Sequence, residues 1–298
     1  MGRTFSREDF DVYVKDYGQP ERFEIPKEFT AIGKYAFADA NCLKEVIIGD
    51  NVKMIHEGAF YDKNTLESVE FGNNVEEIGD SAFSGCTNLH RIDIPSNVQY
   101  IDSEAFSGCR NVYEVIIHDG ITGIGDGAFA SCSSLESITI PDSVSNIGDS
   151  VFADCGSLEN IVMSNNLTRT GSNTFAGCRN LHDVKLPDAL TDIDDNAFLQ
   201  SGLRNLSLPD NIEHIDSSAF NMCSFIQSVT YKDKDVTGFI FRNDIDAINN
   251  LSEELDKFIG KKTIRLNLKS KQKIDDRIAD AEDLIKNIES NDINKEKE

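Results

Sequence analysis

Six of the seven cysteines in this 298-residue chain recur at one position: Cys86, Cys109, Cys132, Cys155 and Cys178 follow at intervals of 23 residues, and Cys223 comes later in the same frame. Thiolates are nucleophiles and soft metal ligands, so the series offers a metal site, a disulfide ladder or a redox relay. Structural zinc needs ligands converging tetrahedrally on one point, usually from pairs about two to four residues apart, and a constant long interval supplies neither. Disulfides need a closer look. If the repeats stack as neighbouring strands, about 4.8 Å apart, the Cα atoms meet the usual disulfide separation, but parallel side chains hold the Cβ atoms equally far apart, beyond the preferred value of about 3.8 Å. The spacing therefore favours free, buried thiols that pack as small hydrophobes.

Other stretches imitate chemistry. "GITGIGDGAF", Gly120 to Phe129, resembles a phosphate-cradling loop but lacks the strand-to-long-helix context. "DIDDNA", Asp192 to Ala197, begins like a calcium loop, yet Ala197 replaces the needed glycine and Leu203 stands where the bidentate glutamate belongs. His90 and His182 share a column four repeats apart, roughly 19 Å at one strand spacing per repeat, too far to share a metal. His118 is placed to lie near Glu114, but no serine or cysteine nucleophile is spaced to complete a triad. Met1-Gly2 with Ser6 fits a myristoylation pattern, though Arg3 beside the glycine is unfavourable and an ordinary start is the plainer reading. The expectation is a non-enzymatic protein with no metal and no cofactor.

What must position these residues is a repeat. Phe37, Phe60, Phe83, Phe106, Phe129, Phe152, Phe175, Phe198 and Phe220 each follow a small residue, at intervals of 23 and finally 22. Self-similarity of that period marks a solenoid. Five residues before each Phe lies Ile32, Ile55, Ile78, Ile101, Ile124, Ile147, Thr170, Ile193 or Ile215; only Thr170 breaks the column. After each Phe an alternating stretch such as Leu89, Ile92, Ile94 or Leu135, Ile138, Ile140 predicts one short strand per repeat, often ended by a proline (Pro95, Pro141, Pro187, Pro209), where a missing amide is tolerated. Stacked, these strands make a parallel sheet. Gly33, Gly79, Asp102, Gly125, Gly148, Gly171 and Asp194 share a column that suggests a left-handed turn. Asp80, Ser103, Asp126, Asp149, Ser172, Asp195 and Ser217 follow it as candidate N-caps of one helical turn.

Strand, turn and helical turn in 23 residues resembles the BspA-like class of leucine-rich repeat, whose working consensus is close to L-x-x-I-x-I-P-x-x-V-x-x-I-G-x-x-A-F-x-x-C, from about Phe23 to Tyr231. The resemblance implies a gently curved α/β leucine-rich-repeat solenoid of short parallel strands, turns and short helical segments. It also implies a surface or secreted protein used for adhesion or binding, with no partner identified.

The ends of such an array need caps. Residues 1–22, with Phe10, Val12 and Val14 alternating, are expected to form a strand or hairpin over the first coil; residues 23–234 form the solenoid of about nine repeats. Ile245, Ile248, Leu251, Leu255 and Phe258 are spaced for an amphipathic helix, Thr263 to Leu268 for a strand, and Ile274, Ile278, Ala281, Leu284, Ile285 and Ile288 for a second helix. This gives a mainly helical cap over 235–290 and a disordered tail over 291–298. The second helix is a candidate for self-association.

Charge narrows the partners. With 52 acidic against 29 basic residues the formal charge is -23, which repels nucleic acid and anionic lipid and favours a protein of neutral or basic surface. No window reaches the roughly 18 apolar residues of a membrane span, and the first residues lack the apolar core of a signal peptide. Location stays open: the resemblance suggests the surface, the missing signal and unpaired thiols a reducing interior. The residues the repeat leaves free are those pointing outward from the strands. Among them Ile47, Glu70, His90, Arg91, Tyr113, Glu114, Ile116, Glu136, Val162, His182 and Lys185 form the candidate binding face, because Tyr113, Ile116 and Val162 are apolar where folding does not require it. The alternative is a structural spacer or assembly scaffold whose C-terminal helices make the specific contact.

Overall fold

The computed structural model describes residues 2–232 and 234–237, which belong to one compact unit. The expected C-terminal helices, the strand over 263–268 and the tail lie outside the described residues. The unit is a leucine-rich-repeat solenoid. Each repeat lays down one outward-facing strand: Arg22–Glu24, Glu45–Ile48 and Ser68–Phe71 pair in a three-stranded sheet, and Arg91–Ile94, Glu114–Ile117, Ser137–Thr139, Asn160–Val162, Asp183–Lys185, Asn205–Leu208 and Ser228–Tyr231 follow in an eight-stranded one. All these pairs are parallel; Lys234–Asp235 closes the end by folding back antiparallel on Ser228–Tyr231.

A second ladder, not foreseen from the alternation, runs along another side. Phe29–Ile32, Met54–Ile55, Glu77–Ile78, Tyr100–Ile101, Gly123–Ile124 and Asn146–Ile147 stack as very short parallel strands with Arg3–Phe5 at the end. Two residues per coil are too few to show a period of two, so only their buried isoleucines were visible. This ladder stops after Asn146–Ile147 and resumes as Asp192–Ile193 with His214–Ile215. The gap falls on Thr170. There the Gly171 amide donates to Asp194 Oδ2 at 2.8 Å and the Asp194 amide to Thr170 Oγ1 at 3.0 Å, so side chains take over beside a single backbone bridge, the Thr170 amide to the Asp192 carbonyl at 3.2 Å.

The repeated phenylalanines fill the middle. From Phe37 to Phe220 they form one continuous stack, with centroids 4.5–5.9 Å apart and planes within 17° of parallel. The small residue before each Phe gives the room. In the coil of Phe175 that residue is Thr174, and its fully buried Oγ1 has no partner among the described residues. A buried unsatisfied hydroxyl costs about 1–3 kcal/mol, and Val151 shows that a branched apolar side chain fits the same column one coil earlier. Thr174→Val is therefore expected to stabilise the chain by about 1 kcal/mol, read as a higher urea midpoint at unchanged slope.

Three expectations about the turns are corrected. No helical turn forms within the described repeats; the one helix among the described residues is Arg7–Tyr17. The left-handed residues are not the glycine column, of which Gly171 alone has positive φ. They lie two residues to either side of the phenylalanine, as at Ser81 and Gly85 or Glu104 and Gly108. These amides, and that of the phenylalanine between them, bond to the next coil, Ser81 to the Ser103 carbonyl, Phe83 to the Ala105 carbonyl and Gly85 to the Ser107 carbonyl, while the alternate amides of Ala82 and Ser84 close tight four-residue turns on the Gly79 and Ser81 carbonyls. The glycine column exists for closeness: a Cβ on Gly125 would lie 2.6 Å from the Ser103 nitrogen of the preceding coil. The expected N-caps also serve neighbours, since Asp126 Oδ1 accepts from the Asp149 amide and Asp149 Oδ1 from the Ser172 amide, each at 2.8 Å.

The N-terminal cap differs likewise. Residues 3–5 do form a strand, but Phe10, Val12 and Val14 lie on the helix, with Phe10 buried and Val12 exposed. Ser6 and Asp9 make a reciprocal capping box, a signature of helix start that outweighs alternation over so few residues. Phe10 then packs 5.5 Å from Phe23 and 5.0 Å from Phe37, closing the first coil. Ser6, which completed the lipidation pattern, is thus occupied as the cap.

Candidate functional site

The cysteine column is core. Cys86, Cys109, Cys132, Cys155, Cys178 and Cys223 are free and buried, whereas Cys42 is free and exposed. Each buried Sγ donates to the carbonyl of the phenylalanine one coil back, from Cys86 to Phe60 at 3.2 Å through Cys178 to Phe152 at 3.1 Å and Cys223 to Phe198 at 2.8 Å. The thiols are thus more than filler: each adds a second hydrogen bond to a carbonyl that already accepts a turn amide, as the Lys63 amide donates to Phe60 and the Cys86 amide to Phe83. Burial pushes Cys86, Cys132 and Cys178 up to about 12, and Cys109 and Cys155 well above the ordinary thiol value. A neutral, inaccessible thiol is a poor nucleophile and a poor metal ligand. Where the column carries Lys63, its Nζ reaches the Ala38 carbonyl at 2.6 Å; where it carries Ser201, the hydroxyl meets Cys223 Sγ at 3.3 Å.

The outward sheet face is built by alternation. In Glu114–Ile117 and Arg91–Ile94 the second and fourth residues are buried and the first and third point out. Pairing then aligns the outward residues in columns. Arg91 sits opposite Glu114 and Asp93 opposite Ile116, Ile47 opposite Glu70, Thr139 opposite Val162, and Val162 opposite Lys185. His90, Tyr113, Glu136 and His182 form a further column one residue before the strands. All eleven candidates therefore lie on one face, strung along it rather than gathered in a pocket. From Ile47 to Lys185 spans six strand spacings, roughly 29 Å.

Its middle is the most differentiated part. Tyr113 is 54% and Val162 59% exposed, and Ile116, Thr139 and Val162 succeed one another in a single outward column. Beside them runs a charged network: Arg91 Nε to Glu114 Oε2 at 2.8 Å, Arg91 to Asp93 at 3.3 Å, and His118 Nε2 to Asp93 Oδ1 at 2.9 Å. The His90 and Tyr113 rings lie 6.4 Å apart. His118 pairs with Asp93 rather than Glu114, because it lies one period plus two residues beyond Asp93; that offset was the available signal. Away from this face, Tyr35 and Tyr61 form an exposed pair at 6.4 Å, with Tyr35 Oη donating to Glu57 at 3.2 Å. Neither tyrosine stands out in the repeat pattern, because the other coils carry no tyrosine in either column.

The model of the BspA type leucine rich repeat region matches residues 15–135 and 101–227 in six copies, together well over half of the chain. The chain belongs to this BspA-type leucine-rich repeat family. Among solved structures, it is similar to a leucine-rich repeat protein from Bacteroides ovatus, at 26% identity and a TM-score of 0.57 over 70% of this chain and 63% of that one. A leucine-rich repeat protein from Eubacterium ventriosum aligns at 25% identity and a TM-score of 0.55, over 71% of this chain and 61% of that one. The chain therefore spans under two thirds of the length of either. No curated protein matches the sequence. Leucine-rich repeat solenoids of this family are generally binding or structural proteins, and no catalytic family is indicated. Among the described residues no helix is long and apolar enough to cross a membrane.

Proposed function

We propose that this BspA-type solenoid binds another macromolecule, a protein of neutral or basic surface, through its outward sheet face and without catalysis. The observation that carries the reading is the outward column of half-buried Ile116, Thr139 and exposed Val162, with exposed Tyr113 beside it, on strands whose folding is already secured by their inward residues. Exposed aromatic and aliphatic groups bordered by charge are the usual composition of an interface centre and rim. Surface or secreted use accords with a family often associated with the cell surface. The six buried cysteines do not argue against it, because thiols held neutral inside the core need no reducing compartment.

The test is Tyr113→Ala with Ile116→Ala in the full chain. With a partner identified by cross-linking, its Kd is expected to rise by about tenfold or more while the circular dichroism spectrum is unchanged. Unaltered affinity would overturn the sheet-face reading in favour of the scaffold role.

A further inference from the structure

The carboxylates of the sheet face are not treated alike. On the earlier coils Glu21 pairs with Lys44 at 3.1 Å, Glu45 with Arg22 at 3.5 Å and Glu114 with Arg91 at 2.8 Å, while Glu67 and Glu70 stand singly with no ion pair among the described residues. At the next two coils two unpaired glutamates fall side by side. Glu136 and Glu159 occupy the same column in successive coils, the Glu159 amide donating to the Glu136 carbonyl at 2.9 Å. Among the described residues neither side chain has an ion pair or a hydrogen bond. Like charges facing each other on neighbouring strands are destabilising, so the fold gains nothing from this pair. Tyr113 precedes them in the same column, and the Ile116, Thr139, Val162 column runs alongside three residues further along the strands, roughly 10 Å away.

We infer that this block recognises a basic and apolar segment of a partner protein, a refinement that rests on the sheet-face reading above. A lysine or arginine of the segment sits between Glu136 and Glu159, with the Tyr113 ring adding a cation–π contact. An aliphatic neighbour in the same segment covers the Ile116 to Val162 column. Ionic attraction to two carboxylates and burial of apolar surface are then satisfied together, which either a purely charged or a purely apolar segment would leave half unmet. The net charge of -23 further speeds the approach of a cationic segment, and the local pattern supplies the selectivity.

The experiment uses the full chain at about 150 mM salt, where long-range attraction is screened. Fluorescence anisotropy follows a labelled short peptide alternating lysine and leucine, and two companions with leucine replaced by serine or lysine by glutamate. The lysine–leucine peptide is expected to bind at least about tenfold more tightly than either companion. Glu136→Gln with Glu159→Gln is expected to remove that advantage, whereas Asp11→Asn with Asp16→Asn, exposed on the N-terminal helix, leaves it within about twofold. Equal losses from the two pairs, or equal binding of the glutamate–leucine peptide, would overturn the inference. Concentration-dependent dimerisation abolished by the Glu136 and Glu159 changes would assign the block to a second copy and equally overturn it. If these changes leave an identified partner bound while Tyr113→Ala with Ile116→Ala releases it, the sheet-face reading survives and this refinement fails; if neither matters, both fail.

Discussion

Raising the pH from 8 to 11 is expected to strip most of the stability from this chain, and the buried thiols are the reason. Burial lifts Cys86, Cys132 and Cys178 from the ordinary value of 9.0 to about 12. The native state therefore keeps its thiol protons in a range where the unfolded state gives them up. Below pH 9 the two states hold the same thiol protons and nothing is lost; from 9 towards 12 the unfolded chain is favoured increasingly. At pH 11 each of the three contributes a loss of about 2–3 kcal/mol, against a total stability of about 5–15 kcal/mol for a typical domain. Urea midpoints measured across this range should fall steeply. Tyrosines ionise there too, so the decisive comparison is Cys132→Ala, whose stability should fall less steeply by about one proton. An identical slope in the variant would show that the thiol ionises equally in both states. At neutral pH, the exposed Cys42 should react with a thiol reagent at once and the other six only as the protein opens.

Phe106→Ala is the substitution expected to do most damage at neutral pH. Phe106 is fully buried and lies between Phe83 at 5.3 Å and Phe129 at 5.6 Å, almost parallel to both. Truncating a buried phenylalanine costs about 3–5 kcal/mol, and stacking adds about 0.5–1.5 kcal/mol per pair. The surroundings cannot collapse into the gap, because coil spacing is set by backbone hydrogen bonds such as Phe106 to the Ala128 carbonyl at 2.8 Å. Phe220, in the last coil of the column and 6% exposed, should tolerate the same change better. Because a solenoid need not unfold in one step, hydrogen exchange should locate the loss in the coils either side of residue 106. A loss below about 1.5 kcal/mol would mean that the stack is not the principal support of the core.

The solenoid was legible because its cause is periodic. The phenylalanine, the isoleucine five residues earlier and the alternating strand residues each answer to burial that every coil repeats, so nine copies reinforce one another. Pointing Ile116 and Val162 outward follows from the same alternation, while Tyr113 lies one residue before its strand. What they bind does not follow from it. The turn was misread for a physical reason: glycine serves both positive φ and close approach, and the column rich in glycine turned out to need the second. The left-handed columns mix Gly58, Gly85, Gly108, Gly127 and Gly177 with Tyr35, Ser81, Glu104 and Asn173, a signature diluted over two columns, because backbone bonds between coils hold the conformation even where the side chain does not favour it. The short-strand ladder was hidden for want of length, and the N-terminal helix because its evidence was a cap, Ser6 with Asp9, rather than a period.

The direction of the bonds between coils has a mechanical consequence. From the Gly79 amide to the Ile55 carbonyl and the Phe83 amide to the Ala105 carbonyl, they run along the stack. A tension applied between the two ends of the stack therefore loads them one coil at a time, as in opening a zipper, and not all at once in shear. Each coil released adds 23 residues of free contour, roughly 75 Å. Tethered between two surfaces, such a chain would yield in even steps at low force, paying out length while the coils still closed go on holding.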